Sequence, residues 1–392
     1  MSLPAHIADS QAQHFLRMLG ALRPHWRRDP HLPARIQHLL TRNRAHGSRD
    51  RRLYRELIYT ALRHLPWIES QLDAAPAEAV RRVAWLAADT PDTRAFRTTF
   101  ATGEPPAGDP AELLPAWFRD HGPAAFAPAE LAALNSRAPL WLRLQTDDPA
   151  PVLAEFDVRG WAWERSRVLP GAIRLLAEAD VTKTAAYAAG LVEVQDLGSQ
   201  LVLGSVGLEP GGHWLDACAG AGGKSLQLSR LVGPSGNVDA HDIRPAALDE
   251  LKLRAARAGL ANVRVIPQVA AGHYENVLVD APCSGSGTWR RSPHLKWATA
   301  AGDIAARAEQ QLKLLRQYAL AVRPGGRLVY ATCSLSRVEN EEVAAAFLAA
   351  EPAITPVPLR ERFGFPGDGS ALTILPARHD TDGFFVAAFR RS

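Results

Sequence analysis

Leu215 to Ser225 reads LDACAGAGGKS, and the reading of this run decides the fold. It follows a short apolar strand, HWLDAC, and opens a helix. Gly220, Gly222 and Gly223 let the backbone pass close to a ligand at the carboxyl end of a strand. A phosphate loop would need glycine five residues before the closing Gly-Lys-Ser, where Cys218 stands. A dinucleotide fingerprint would need its third glycine where Ser225 stands. The turn remains compatible with an uncharged nucleoside such as S-adenosylmethionine. Asp242 closes the next strand about 20 residues on, where an acid can accept hydrogen bonds from ribose hydroxyls. The blander alternative is a tight structural turn with an incidental surface acid.

Outward from this turn, short β-rich runs alternate with helical ones. HWLDAC, NVDAHD, VRVIP, ENVLVDAP and GRLVYATCS are separated by stretches such as PAALDELKLRAARAG and DIAARAEQQLKLLRQYALAV. This alternation predicts a mostly parallel sheet with helices on both faces. ALTILP and GFFVAAFRR read as late strands pairing antiparallel at its edge. Upstream, LWLRLQ reads as a strand, DDPAPVLAEFDVRG as a helix and turn, and AIRLLA as a strand or helix edge, together a small α+β subdomain over 137–195. The front of the chain is helical: Phe15, Leu16, Leu19 and Leu22 share one stripe, Ile36, Leu39 and Leu40 another. A third runs from Leu53 to Leu65 and ends at Pro66. More helix follows through RRVAWLAA, and Thr102 to Pro110 has the composition of a linker or surface loop. The expected domains are 1–130, 137–195 and 196–392.

The chain has 392 residues, 47% of them hydrophobic, which excludes a wholly disordered polypeptide. No apolar run approaches the ~18 residues that cross a bilayer, and the opening lacks a secretory pattern. Three cysteines lie 65 and 50 residues apart, too sparse for a disulfide framework or a paired zinc motif. The expectation is a soluble, cytoplasmic monomer without a metal. Charge is uneven. Arg23 to Arg63 holds eleven arginines and three acids, a local +8, so the remainder sums to −4 against the whole-chain +4. Arg49, Arg51, Arg52 and Arg55 crowd into seven residues, which favours a polyanion, nucleic acid above all, over a merely solvated helix face.

Two cysteines end successive strands: Cys283 in DAPCSGSG and Cys333 in YATCS. In an open parallel sheet both face the crevice that the glycine turn faces. A lone cysteine there would be read as an inert small hydrophobe; two beside a nucleoside site point to thiolate chemistry. Methylation of an unactivated pyrimidine carbon needs such a thiolate. Its addition at carbon 6 of cytosine makes carbon 5 enamine-like, and an acid such as Asp280 near N3 and N4 can stabilise the adduct. The residues alone leave open which cysteine attacks.

VQDLGSQLV, LDACAGAGGKS, DAPCSGSGTWRRSPHLKW, RPGGRLVYATCSLSRVENE and the terminal DGFFVAAFRR together resemble the Sun (Fmu) family of RNA cytosine-5 methyltransferases. The likeness is in particular to the bacterial ribosomal RNA enzymes with a helical NusB-like front domain, and RDRRLYRELIYTALRHLPWIES looks like that domain. The resemblance implies a Rossmann-like S-adenosylmethionine-dependent core, Cys333 as nucleophile and Cys283 as the residue that assists product release. It maps cofactor contacts onto Cys218, Ala219, Gly220, Ala221, Gly222, Gly223 and Lys224, with Asp242, Gln268 and Asp280. Arg290, Arg291 and Lys296 are expected at the RNA backbone. Two departures stand out. Gly220-Ala221-Gly222-Gly223 replaces the family's Ala-Pro-Gly-Gly, which predicts a more flexible loop, and Gln268 stands where the family carries an acid toward adenine. Other readings are a non-catalytic ribosome-assembly factor that kept the fold, and a DNA cytosine-5 methyltransferase attacking through Cys283.

Overall fold

The computed structural model describes residues 3–42, 46–176, 179–367 and 369–392. They form two compact units. The first comprises the chain up to Arg137 together with Thr288–Ala301; the second comprises Ala138–Gly287 and Gly302–Ser392. All but the first residue of the segment 137–195 therefore belongs with the second unit, and a short excursion from the expected catalytic region belongs with the first.

The second unit holds two sheets. In the smaller, β1 (Leu140–Leu144), β2 (Trp163–Arg165), β3 (Ala172–Leu175) and β4 (Val192–Val194) run antiparallel in the order β2-β3-β1-β4. Leu142, Val152, Phe156 and Leu175 pack beneath them. The larger sheet contains β5 (His213–Asp216), β6 (Asn237–Ala240), β7 (Val263–Val265), β8 (Tyr274–Asp280), β9 (Val322–Thr332), β10 (Ile354–Pro356), β11 (Ala371–Ile374) and β12 (Phe384–Arg391). Its order is β10-β12-β9-β8-β5-β6-β7, with β11 also on β12. The five strands from β9 to β7 are parallel, and the late strands add antiparallel at one edge. Strand order reverses beside β5, so a crevice opens beyond the carboxyl ends of β5 and β8. Both faces are apolar, with Leu228, Leu278 and Val386 on one and Val277, Tyr330 and Phe347 on the other.

In the first unit, helices Ala5–Leu22, Leu32–Arg42, Ser48–Arg63 and Pro76–Leu86 bury Phe15, Leu19, Ile36, Leu40, Leu57 and Val83 in one core. The stripe expected to end at Pro66 divides instead at His64. A new helix, Leu65–Glu69, begins there with Pro66 in its first turn, where a missing N–H is no loss. The segment 102–110 is irregular but not loose: a Cβ at Gly108 would lie 2.4 Å from the Trp67 ring.

The excursion 288–301 is built into this unit. Trp289 packs on Phe118, with ring centroids 4.6 Å apart. Arg290 is 1% exposed and donates from Nη2 to Ser136 Oγ (2.7 Å) and the Arg137 carbonyl (3.0 Å). Lys296 is fully buried and donates to the Arg63 carbonyl (2.8 Å) and Asn135 Oδ1 (2.7 Å). Neither cation therefore presents its charge to an RNA backbone, contrary to expectation; both satisfy carbonyl and amide oxygens from distant parts of the unit. Arg291 remains exposed.

Candidate active site

The glycine turn leaves β5 and enters helix Gly223–Val232. Gly220 and Gly222 have φ of +53° and +86°, a region that favours glycine. At Gly222 a Cβ would come within 2.6 Å of Leu251, so packing requires this glycine; at Gly223 nothing lies within 4 Å. The Gly220 amide donates to Asp242 Oδ2 at 2.8 Å, and Arg244 donates to the same carboxylate from its backbone and guanidinium. Burial raises the Asp242 pKa, but these donors outweigh it and hold it at about 2. An ionised acceptor thus stands beside an open turn, a donor set that fits a nucleoside. Gln268 lies exposed beyond β7.

The flexibility expected from Ala221 in place of proline is countered from behind the turn. Arg254 donates to the Ala221 carbonyl at 2.6 Å, and Glu193 on β4 holds Arg254 at 2.9 Å and also pairs with Arg257. The buried Arg143 on β1 reaches the Gly223 carbonyl at 3.5 Å. The small sheet therefore braces the turn through charged side chains that sequence reading gave no role.

β8 and β9 are parallel neighbours with Asp280 opposite Ala331, so the residues after them emerge side by side. Cys283 Sγ and Cys333 Sγ are 3.3 Å apart. The hydrogen bond between them lowers the Cys333 pKa; burial and Asp280 oppose this, and Lys224 assists it. The same bond, then burial, raises Cys283 well above its ordinary value. Of the two sulfurs, Cys333 is thus the one whose ionisation the site favours. Cys218 is different: burial pushes its thiol up, away from reactivity.

Lys224 Nζ donates to Asp280 at 2.8 Å and lies 5.1 Å from the Phe384 ring centroid. Burial alone would lower this ammonium, but Asp280 more than compensates and raises it. Two acids were missed by sequence reading. Glu339, fully buried, accepts from the Ser284 amide (2.8 Å), Ser284 Oγ, Ser334 Oγ (2.6 Å) and Gln311 (3.1 Å). It ties the residue after Cys283 to the residue after Cys333, and its only signal was its place in the ENE run. Asp216, in the quoted LDAC, accepts from Ser225 Oγ at 2.6 Å and is raised by burial to about 7.

On the basic helix Ser48–Arg63, Arg49 is exposed, Arg51 donates to the His46 carbonyl, and Arg55 to Gln37. Arg52 is already neutralised by both oxygens of Asp92.

Residues 205–390 match the family described as 16S rRNA methyltransferase RsmB/F. The chain is 35% identical over 258 residues to the probable ribosomal RNA small subunit methyltransferase B of Bacillus subtilis, covering 62% of this chain and 57% of that protein. It is 31% identical over 272 residues to the ribosomal RNA small subunit methyltransferase B of Vibrio vulnificus, covering 65% and 60%. The matches thus span less than two thirds of these relatives' length. Among solved structures, a methyltransferase homolog protein from Pyrococcus horikoshii superposes with a TM-score of 0.58 at 25% identity, over 67% of this chain and 90% of that one.

Proposed function

Because residues 205–390 belong to the RsmB/F family of methyltransferases, the Sun (Fmu) family of the sequence motifs, we propose that this protein methylates carbon 5 of a cytosine in ribosomal RNA, using S-adenosylmethionine. The observation that carries the reading is the pair of cysteine sulfurs, 3.3 Å apart, at the ends of two adjacent parallel strands beside the glycine turn.

Cys218 to Lys224, Asp242 and Gln268 would hold the cofactor, with Asp280 at its reactive end; when bound it supplies an electrophilic methyl group. The chain's own residues do the rest. The Cys333 thiolate adds to carbon 6 of the cytosine, and the displaced electron pair makes carbon 5 nucleophilic. Asp280, oriented by Lys224, faces the N3 and N4 edge and stabilises the adduct. Once carbon 5 has taken the methyl group, a base removes the carbon-5 proton, which restores the double bond and expels Cys333 as thiolate. Cys283, at hydrogen-bond distance, assists that release. The target base leaves its stack to reach these sulfurs, which a single-stranded loop permits at lower cost. Residues 1–130, the NusB-like part of the resemblance, supply salt-dependent phosphate contacts through Arg49, Arg51 and Arg55.

The test is transfer of labelled methyl from S-adenosylmethionine to unmodified ribosomal RNA. Cys333→Ala is expected to abolish transfer, and Cys283→Ala to accumulate a covalent protein–RNA adduct. An adduct formed on Cys283 in the wild type, or full activity in Cys333→Ala, would overturn the assignment.

A further inference from the structure

The first unit contains a cleft of about 510 Å³, remote in sequence from the glycine turn and lined by Arg27, Trp117, Arg119, Phe126, Lys296 and Trp297 among others. We infer that this cleft binds a single unstacked nucleotide of the RNA strand, a second site separate from the one that takes the target base. The inference rests on the RNA reading above.

The aromatic walls are held in place before any ligand arrives. Trp297 Nε1 donates to the Leu62 carbonyl at 2.6 Å, and Lys296 Nζ sits 4.9 Å from the Trp297 ring centroid while fixed by Arg63 and Asn135. Arg27 lies over the same ring at 5.8 Å. Arg119 lies 4.2 Å over Phe126 and makes no ion pair among the described residues, although it is exposed. Its guanidinium plane is therefore already stacked on one side and available on the other.

Three aromatic rings, Trp117, Phe126 and Trp297, with Arg119 over Phe126 and Arg27 over Trp297, match a nucleobase, because every base has a π-face and a neighbouring phosphate. The rim also carries Asp109 and Glu112. Glu112 accepts from Trp67 Nε1 at 3.1 Å and Asp109 from the Ala111 amide, and each retains acceptor capacity. Carboxylates at this place suit the exocyclic amines or the 2′-hydroxyl of a ribonucleotide and disfavour a bare polyphosphate. The volume lies in the range of about 300–1,000 Å³ that encloses small organic ligands. Arg27 also belongs to the stretch from Arg23 to Arg63 that carries a net +8, so the cleft adjoins in sequence the segment expected to track phosphates. Walls fixed in advance lose little entropy on binding.

The experiment measures binding of a labelled single-stranded RNA dodecamer to the full chain by fluorescence anisotropy, for the wild type, Trp117→Ala, Trp117→Phe and Arg119→Ala. Trp117→Ala is expected to weaken binding about tenfold, with Trp117→Phe recovering most of the loss. Arg119→Ala should weaken it severalfold and lower the salt slope by about one. S-adenosylmethionine affinity should be unchanged in all three. 4-Thiouridine in the strand should crosslink to peptides holding Trp117 or Trp297. Wild-type affinity in both alanine variants, with crosslinks elsewhere, would overturn the inference and leave the cleft to a peptide partner. Absence of RNA binding and of methyl transfer by the wild type would overturn the RNA reading and this inference with it.

Discussion

Asp216 offers the sharpest quantitative handle on the second unit. Its carboxyl is 1% exposed, accepts from Ser225 Oγ, and is raised to about 7 chiefly because burial penalises its charge, with Asp280 adding to the rise. In the unfolded chain the same group titrates near 3.9. Between these values the native state binds the extra proton, so stability falls as pH rises, by ~1.4 kcal/mol per pH unit. The folded chain therefore gives up about 2 kcal/mol at pH 5.5, and the loss levels at about 4 kcal/mol above pH 8. Asp216→Asn keeps an acceptor for Ser225 and removes the titration. Urea unfolding of the second unit at pH 5.5, 6.5, 7.5 and 8.5 should show the variant's stability relative to wild type climbing by about 2 kcal/mol across the series. Any fixed cost of burying the amide shifts all four points equally and leaves the slope. A difference that stays flat with pH would refute the argument: Asp216 would then be ionised in the folded chain, its charge carried by the nearby Lys224.

Lys224→Met should raise the pH midpoint for iodoacetamide alkylation of Cys333 by about one unit, followed by mass spectrometry of its peptide, because a cation that favours the thiolate is gone. An unmoved midpoint would assign the lowering of the Cys333 pKa to Cys283 alone. Gly287→Ala should destabilise the second unit by about 3 kcal/mol in urea, since a Cβ there would lie 2.1 Å from the Gly383 carbonyl oxygen. Hydrogen peroxide should oxidise the Cys333 thiolate to a sulfenic acid, which the Cys283 thiol then displaces as water to form a disulfide. Methyl transfer should be lost and restored by dithiothreitol, and non-reducing peptide maps should show a 283–333 link; persistent free thiols after inactivation would contradict it.

The parallel sheet was legible because β5, β6, β8 and β9 are apolar runs followed by turns or helices, and two parallel neighbours must bring Cys283 and Cys333 together. β2, β4 and β10 were not separately legible, being three residues each and without a repeat of their own. Lys296 and Arg290 misled for a physical reason: charge in sequence reads as exposure, and only the tertiary carbonyls of Arg63 and Arg137 make burial tolerable. Glu339 was hidden similarly. Its motif was visible, but its partners Ser284 and Gln311 lie 55 and 28 residues away. Spacing alone does not distinguish the two sulfurs; the family resemblance implied attack by Cys333, and the hydrogen bond with Cys283 lowers the pKa of that same sulfur.

The excursion through Thr288–Ala301 has a consequence for how the chain is made. Domains ordinarily finish folding in the order in which they leave the ribosome. Here Phe118 waits for Trp289, and Asn135 for Lys296, while the 150 residues from Ala138 to Gly287 are synthesised. At ~5–20 residues per second that is a delay of roughly 8–30 s. Throughout it the first unit carries an unfilled apolar face and an amide without its lysine. The unit that is translated first is thus completed late, by a segment lying between the two cysteines.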